Sequence, residues 1–216
     1  MNLETNDRPP RHRSLIALDA VNVFLADVRD GLGPYLAIYL TAKQHWDAGK
    51  VGIALATLTI ATVIAQTPVG GLIDRLRPKR GAIAVAALAV AVGAIAMVRV
   101  PTLPVIIAAQ GLIGTAAAVF PPAIAAISLG MVGPAGLARR TGRNEAFNHA
   151  GNVVAAVLAG IIGDQVAIEG IFYLLAGMCL ATVVSVFLIR GRDIDHVLAR
   201  GAEPSDGQPA HILARR

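Results

Sequence analysis

Charged side chains inside an otherwise apolar segment are the residues of this chain with the clearest potential for chemistry. Asp27, Arg29 and Asp30 lie near the middle of residues 15–40, and an ionised residue at the centre of a membrane-spanning helix costs about 2.5–3.5 kcal/mol on insertion scales. The two carboxylates are three residues apart and share a helix face, whereas the arginine points elsewhere. We expect a water-accessible cavity in which one carboxyl group binds a proton or a polar substrate. The alternative is a buried ion pair that joins helices.

A stripe of asparagines is the second candidate site. Asn144, Asn148 and Asn152 repeat every four residues, which places them on one helix face. Such a stripe either lines a cavity or bonds a neighbouring helix. His149 is a candidate proton carrier near neutral pH, and a hydrogen-bonded structural histidine is the equally weighted alternative.

Small residues form another stripe on the same segment, and it favours packing over chemistry. A four-residue spacing of glycine and alanine lets two helix backbones approach closely. The residues of this stripe are Gly151, Ala155, Ala159 and Gly163.

Long uncharged segments predict the elements that must position these side chains. The chain has 216 residues, of which 55% are hydrophobic and 15% charged, against about 25% charged in ordinary soluble domains. A helix needs about 20 apolar residues to cross a bilayer, and the polarity does not alternate as in barrel strands. We predict an all-α membrane protein with six transmembrane helices, near residues 15–40, 51–73, 81–99, 104–129, 145–163 and 170–189.

The distribution of basic residues predicts the orientation. Fifteen of the 19 Lys and Arg residues lie before the first helix, after the second, after the fourth or after the sixth, and three lie in the other connections. Cytoplasmic segments are enriched in Lys and Arg, so we predict that both ends of the chain are cytoplasmic. The predicted organisation is a polar cytoplasmic head at residues 1–14, a six-helix domain at 15–190 and a flexible cytoplasmic tail at 191–216, whose glycines and prolines are typical of a linker.

Several classes of function are disfavoured. The net charge of +5 does not indicate a nucleic-acid partner, because the basic residues flank apolar segments and form no single patch. The sequence contains neither a G-x-S-x-G nucleophile elbow nor an H-E-x-x-H metal motif. We therefore predict that the protein is not an enzyme, and we expect no cofactor and no metal site.

The connection after the second predicted helix resembles a known signature, G-x-L-x-D-R-x-G-R-K, found between helices 2 and 3 of major facilitator superfamily transporters. Arg77 stands where that family has glycine and Pro78 where it has a basic residue, and Arg80 is a candidate for the displaced charge. The resemblance implies a gating loop formed by Gly70, Leu72, Asp74, Arg75, Lys79 and Arg80.

A second pattern, R-x-x-Q-G at the start of helix 4 in that family, is similar to the sequence around Gln110 and Gly111, with Ile107 in place of the arginine. The resemblance adds Gln110 to the candidate cavity residues. It covers residues 15–190 and implies the first half of a twelve-helix transporter, built as two inverted three-helix repeats.

What the resemblance implies about function is alternating access to a small-molecule site, with efflux across a bacterial inner membrane. The predicted partners are the lipid bilayer, a small-molecule substrate and a second six-helix half, supplied by another copy or by a separate chain. The alternative is a truncated or non-transporting scaffold or regulatory subunit.

Overall fold

The computed structural model describes residues 12–30, 32–76 and 78–200, without the side chains of Asp27, Arg29, Asp30, Leu32 and Arg200. The helices are α1 (His12–Asp30), α2 (Leu32–Ile38), α3 (Ala48–Arg75), α4 (Lys79–Arg99), α5 (Leu103–Ala117), α6 (Phe120–Gln165) and α7 (Glu169–Leu188). A π-helical turn, Tyr39–Lys43, follows α2, and two 3-10 turns, Gly191–Asp193 and Leu198–Arg200, follow α7. The described part of the chain is helical and has no strand, so the predicted all-α class is confirmed.

Within these ranges, four helical stretches are long and apolar enough to cross a bilayer. They are α3, α4, α7 and the 63 residues from Leu103 to Gln165, which comprise α5 and α6. A single crossing needs about 20 residues, so the last stretch has the length of more than one crossing. These stretches fit the predicted membrane protein.

Two prolines mark the interruption of that long stretch between α5 and α6. α5 ends at Ala117, and α6 begins at Phe120 with Pro121 and Pro122 in its first turn. A proline is tolerated there because the first backbone N–H groups of a helix have no partner inside the helix.

A second interruption divides α6 into two arms. Gly133 has φ 68° and ψ 175°, in a region that side chains with a Cβ rarely adopt, and Pro134 follows it. We call residues 120–132 the first arm and residues 134–165 the second arm.

The segment between the fourth and fifth predicted helices, residues 130–144, was expected to be a loop that carries Arg139, Arg140 and Arg143, and this prediction was wrong. All three lie on the helical second arm, and Arg140 is 5% exposed. The basic residues do not require a solvated loop because a buried carboxylate, described below, accepts hydrogen bonds from two of them.

Packing leaves one set of helices much less covered than the rest. α1 packs on α6 and α7, α4 packs on α5 and α7, and α3 packs on α5. Half of the most apolar window of α4 and of α7 is buried, against 17% for α3. The second arm of α6 likewise exposes Val153, Val154 and Val157.

Contacts between distant segments show which ends of the helices lie together. α7 has 20 residues and is therefore about 30 Å long, so its two termini mark opposite ends of the bundle. At its start, Glu169 Oε1 lies 3.3 Å from Lys43 Nζ, which follows α2. At its C-terminal end, two hydrogen bonds join the residues that follow α7 to the starts of α1 and α4. The bonded pairs are Ser14–Asp193 and Arg80–Ile189.

Candidate functional site

A buried ion pair joins α1 to the second arm of α6. Asp19 and Arg140 are 4% and 5% exposed, and Arg140 Nη2 donates to Asp19 Oδ1 over 2.7 Å. Arg143 Nη2 donates to Asp19 Oδ2 over 2.7 Å, and its Nε lies 3.1 Å from both carboxylate oxygens. Two guanidinium groups therefore share one carboxylate, which leaves a net positive formal charge at this point.

Amide and hydroxyl groups extend the ion pair across the bend in α6. Asn144 Oδ1 accepts hydrogen bonds from Arg140 Nε at 2.7 Å and from Asn22 Nδ2 at 3.2 Å. Asn144 Nδ2 donates to Ser128 Oγ on the first arm at 2.9 Å. We call this set the Asp19 cluster, and its members are Asp19, Asn22, Ser128, Arg140, Arg143 and Asn144.

Helical spacing and one glycine explain why these groups meet. Asp19 and Asn22 are three residues apart on α1, and Arg140 and Asn144 are four apart on α6, so each pair shares a face. Further along the same face of α6, a Cβ at Gly151 would overlap the carbonyl oxygen of Val23. The close approach of α1 therefore depends on glycine at this position.

The cluster has a large structural effect because the charges of Asp19 and Arg140 are buried. Removing one partner of a buried ion pair costs about 3–5 kcal/mol, since the remaining charge has no counterion. Here Asp19 is also bonded to both arginines, and Asn144 is bonded to both arms of α6. The arrangement fixes α1 relative to the bend in α6.

One side of the cluster is open to solvent. Arg143 is 54% exposed at its side chain, and its guanidinium carbon lies 5.2 Å from the centre of the Phe147 ring. A cation over an aromatic face is held weakly at an exposed site. The exposed Arg143 therefore contributes less to the cluster than the buried Arg140.

The predicted candidates of the first helix remain predictions. The backbone of Asp27, Arg29 and Asp30 belongs to α1, but their side chains lie outside the description. Asp19 is eight residues before Asp27 on the same helix, about 12 Å along its axis.

The structure separates the predicted asparagine stripe from the histidine beside it. Asn144 and Asn148 are buried, Asn152 is half-buried and His149 is exposed. Asn148 is 6% exposed, and its Oδ1 has no hydrogen-bond partner within the described residues. Asn144 therefore bonds to α1 through Asn22, and the role of Asn148, Asn152 and His149 in a cavity remains a prediction.

Gln110 is buried at a different contact, between α5 and α3. It is 1% exposed, and its Nε2 lies 3.4 Å from the carbonyl oxygen of Ala54, a long hydrogen bond. Its Oε1 has no partner among the described residues. No described contact links it to the Asp19 cluster.

The predicted gating loop combines exposed and buried groups. Asp74, Arg75 and Leu72 are exposed and Gly70 is half-buried. Lys79 is 3% exposed and donates to the carbonyl oxygens of Ile73 at 2.8 Å and Leu76 at 3.0 Å, so it caps the end of α3. Arg80 instead bonds to the carbonyl of Ile189 at the end of α7.

Sequence reasoning did not identify Asp19, Asn22 or the arginines of the cluster as site residues. The signal was present, because Asp19 and Asn22 lie in the same apolar segment as Asp27 and an ionisable residue there marks a functional or structural site. The arginines were assigned to a solvated loop, and only their position on the helical second arm shows that they are partners of Asp19.

Comparison with known proteins identifies the family of this chain. The family model described as Major Facilitator Superfamily matches residues 19–214. Two proteins from two strains of Mycobacterium tuberculosis, each named as an uncharacterized MFS-type transporter, are 46% identical over 201 residues, which is 93% of this chain and 48% of each relative. The chain therefore spans about half the length of the curated relatives that it matches.

Proposed function

This chain belongs to the major facilitator superfamily, and we propose that it is the first six-helix half of a secondary transporter for a small molecule. The observation that carries the proposal is the family membership of a helical chain with bilayer-length apolar stretches. The relatives are named as MFS-type transporters, which supports transport over catalysis.

The proposed membrane topology has six crossings. The contacts at the two ends of the bundle support it, because the start of α1, the start of α4 and the finish of α7 lie together, while the end of the π-helical turn lies with the start of α7. The bend at Gly133 supplies the remaining reversal, between the two arms of α6. In this topology α1, α2 and the π-helical turn belong to the first crossing.

Both ends of the chain are proposed to be cytoplasmic. The end of the bundle that contains Ser14 also contains the basic residues around α4's start, and positive charge favours the cytoplasmic side. The mycobacterial relatives support a bacterial inner membrane as the location.

Alternating access against a second half is proposed from the exposed faces of α3 and of the second arm of α6. In a twelve-helix transporter of this family, helices 2 and 5 face the other six-helix half. Ile60, Val63 and Ile64 are 57%, 62% and 70% exposed on α3. A second six-helix half is the proposed partner across these faces, and efflux is the proposed direction.

A non-transporting scaffold or regulatory subunit is the second candidate, because part of the polar stripe has a structural role. Asn144 bonds to three side chains of the Asp19 cluster, and Asn148 is buried. Such contacts hold helices together whether or not solute passes. The two candidates therefore differ in flux and not in fold.

Paired reconstitution tests the proposal. The chain is placed in liposomes alone and together with the separately expressed second half of the mycobacterial relative, and uptake from a panel of cationic, anionic and neutral solutes is measured by mass spectrometry. Transport predicts that at least one solute enters only when both halves are present, and that Asp27→Asn or Asp30→Asn changes its pH dependence. Glu145→Gln, at an exposed position, is the control. Assembly of the halves without flux of any solute would favour the scaffold.

A further inference from the structure

The segment after α7 folds back onto the bundle. We call residues 190–199 the strap. Ile194 and Ala199 are 5% and 3% exposed, which shows that the strap has an apolar side packed on protein. Asp195 Oδ1 accepts hydrogen bonds from the backbone N–H groups of Val197 at 2.8 Å and Leu198 at 3.2 Å, which starts the second 3-10 turn. The predicted flexible tail remains a prediction for residues 201–216, which lie outside the described residues.

The strap docks on one glycine of the first arm of α6. The backbone N–H of Asp195 donates to the carbonyl oxygen of Gly130 over 2.7 Å. A Cβ added at Gly130 would lie 2.7 Å from Asp195 O, 2.9 Å from Ile194 Cγ2 and 3.0 Å from Ala199 Cβ. Only glycine leaves room for the strap at this position.

The bend in α6 explains why that carbonyl is available. In a continuous helix the carbonyl of residue 130 accepts from the N–H of residue 134, but residue 134 is a proline and has no N–H. The neighbouring Gly133, at φ 68°, turns the chain away from the helix axis. The strap therefore supplies the hydrogen bond that the bend removes.

Two further contacts fix the strap to other helices. Ser14 Oγ on α1 donates to Asp193 Oδ2 at 2.6 Å and accepts from the backbone N–H of Arg190 at 3.2 Å. The guanidinium of Arg80 on α4 donates to the carbonyl of Ile189, where the strap begins. One short segment thus joins α1, α4 and α7 to the bend in α6.

We propose that the strap is a conformational latch that holds the two arms of α6 in their bent arrangement, and that it must leave Gly130 before the angle between the arms can change. Gly133 has the backbone freedom to act as a hinge, and the Asp19 cluster lies across the same bend, through Ser128 and Asn144. The importance of the latch for solute movement rests on the proposed transport function. The docking and its effect on the bend do not.

Amide hydrogen exchange on the full chain in detergent tests the docking. Gly130→Ala introduces the overlapping Cβ, and Gly142→Ala is the matched control, because nothing lies within 4 Å of a Cβ at that helical position. We expect exchange in the peptide covering residues 190–199 to rise about tenfold in Gly130→Ala, as for the loss of more than one hydrogen bond, and not in the control. Unchanged exchange in Gly130→Ala would overturn the proposal.

A second variant reaches the same contact from the other side. Pro134→Ala supplies an N–H and allows residues 130–134 to become helical, in which case this N–H replaces that of Asp195 at the carbonyl of Gly130. Strap exchange should therefore rise here too. Pro68→Ala, which removes another proline inside a helix, is the control. The pair keeps the test decisive where Gly130→Ala does not fold.

Spin-label distances across the bend test the latch itself. Labels on Ala125→Cys and Thr141→Cys, both exposed on α6, report the angle between the arms in a Cys179→Ala background. We expect the distance distribution to broaden or shift when Gly130→Ala displaces the strap, whereas Pro134→Ala changes the bend directly and is not used for this measurement. A displaced strap with an unchanged distribution would show that it does not hold the bend. Neither measurement depends on flux, so a failure of the transport proposal is distinguishable.

Discussion

Replacing Asp19 by asparagine removes the carboxylate of the buried cluster while keeping its shape. Arg140, which is 5% exposed, then has no counterion, although one amide oxygen can still accept a hydrogen bond. Breaking a buried pair in this way costs about 3–5 kcal/mol in the free energy of unfolding. Arg143 is 54% exposed at its side chain, and because exposed ion pairs contribute little to stability, we expect Arg143→Gln to lower the free energy of unfolding much less than Asp19→Asn does.

A double variant separates the charge effect from the packing effect. Asp19→Leu together with Arg140→Met replaces the pair by apolar groups of similar volume. Such replacements are often neutral or stabilising. We therefore expect the double variant to have a larger free energy of unfolding than Asp19→Asn. If the effects of the two substitutions were independent and simply added, the double variant would be the less stable protein.

The assay is reversible unfolding in mixed micelles of increasing sodium dodecyl sulfate content. Trp46 is the sole tryptophan of the sequence and is half-buried, so its fluorescence reports the transition. The unmodified chain, Asp19→Asn, Arg143→Gln and the double variant are compared at one detergent fraction within their unfolding transitions. If Asp19→Asn loses no more stability than Arg143→Gln, the pair is not desolvated as described and the reasoning about the cluster is wrong.

Three further predictions concern helix contacts. Gly151→Leu should abolish the monodisperse peak in size-exclusion chromatography, because its side chain would overlap the Val23 carbonyl, whereas Gly160→Ala, in open space, should leave the peak unchanged. Lys79→Met removes the donor to two carbonyls at the end of α3 and should lower the unfolding free energy by about 1–3 kcal/mol, which chemical unfolding would show. The pKa of Asp47 is lowered by the hydrogen bond from the Lys50 backbone at the start of α3. The ionised Asp47 carboxylate therefore stabilises the folded state at pH values above its unfolded-state pKa. This stabilisation is lost as pH falls through the lower folded-state pKa. Asp47→Ala should therefore reduce the thermal midpoint at neutral pH and have little effect at pH values below that folded-state pKa, as measured by circular dichroism across a pH series.

The helical class and the apolar segments were predictable because they depend on local composition. Uncharged segments of bilayer length predict helices wherever they occur, and prolines predict interruptions, as at Pro121. The small-residue stripe is a local pattern of the same kind, and the contact of Gly151 with α1 agrees with it. Family membership followed from a short loop motif, which the match over residues 19–214 confirms.

The Asp19 cluster depended on the tertiary structure. Asp19 and Arg140 are 121 residues apart in sequence, and no local pattern specifies which of the basic residues meets a buried acid. A run of arginines between apolar segments is normally a solvated cytoplasmic loop. Arg140 can be buried because α1 approaches the second arm of α6 closely. This approach brings the carboxylate of Asp19 to Arg140, which would otherwise be an unpaired buried charge.

The sequence by itself determined that this chain is an apolar helical protein of a transporter family, because helix formation and membrane affinity are sums over neighbouring residues. The tertiary structure alone decided which polar groups are paired. The carbonyl of Gly130 illustrates the difference: Pro134 determines locally that the carbonyl lacks its helical partner, but only the folded chain brings the N–H of Asp195, 65 residues later, to within 2.7 Å of it.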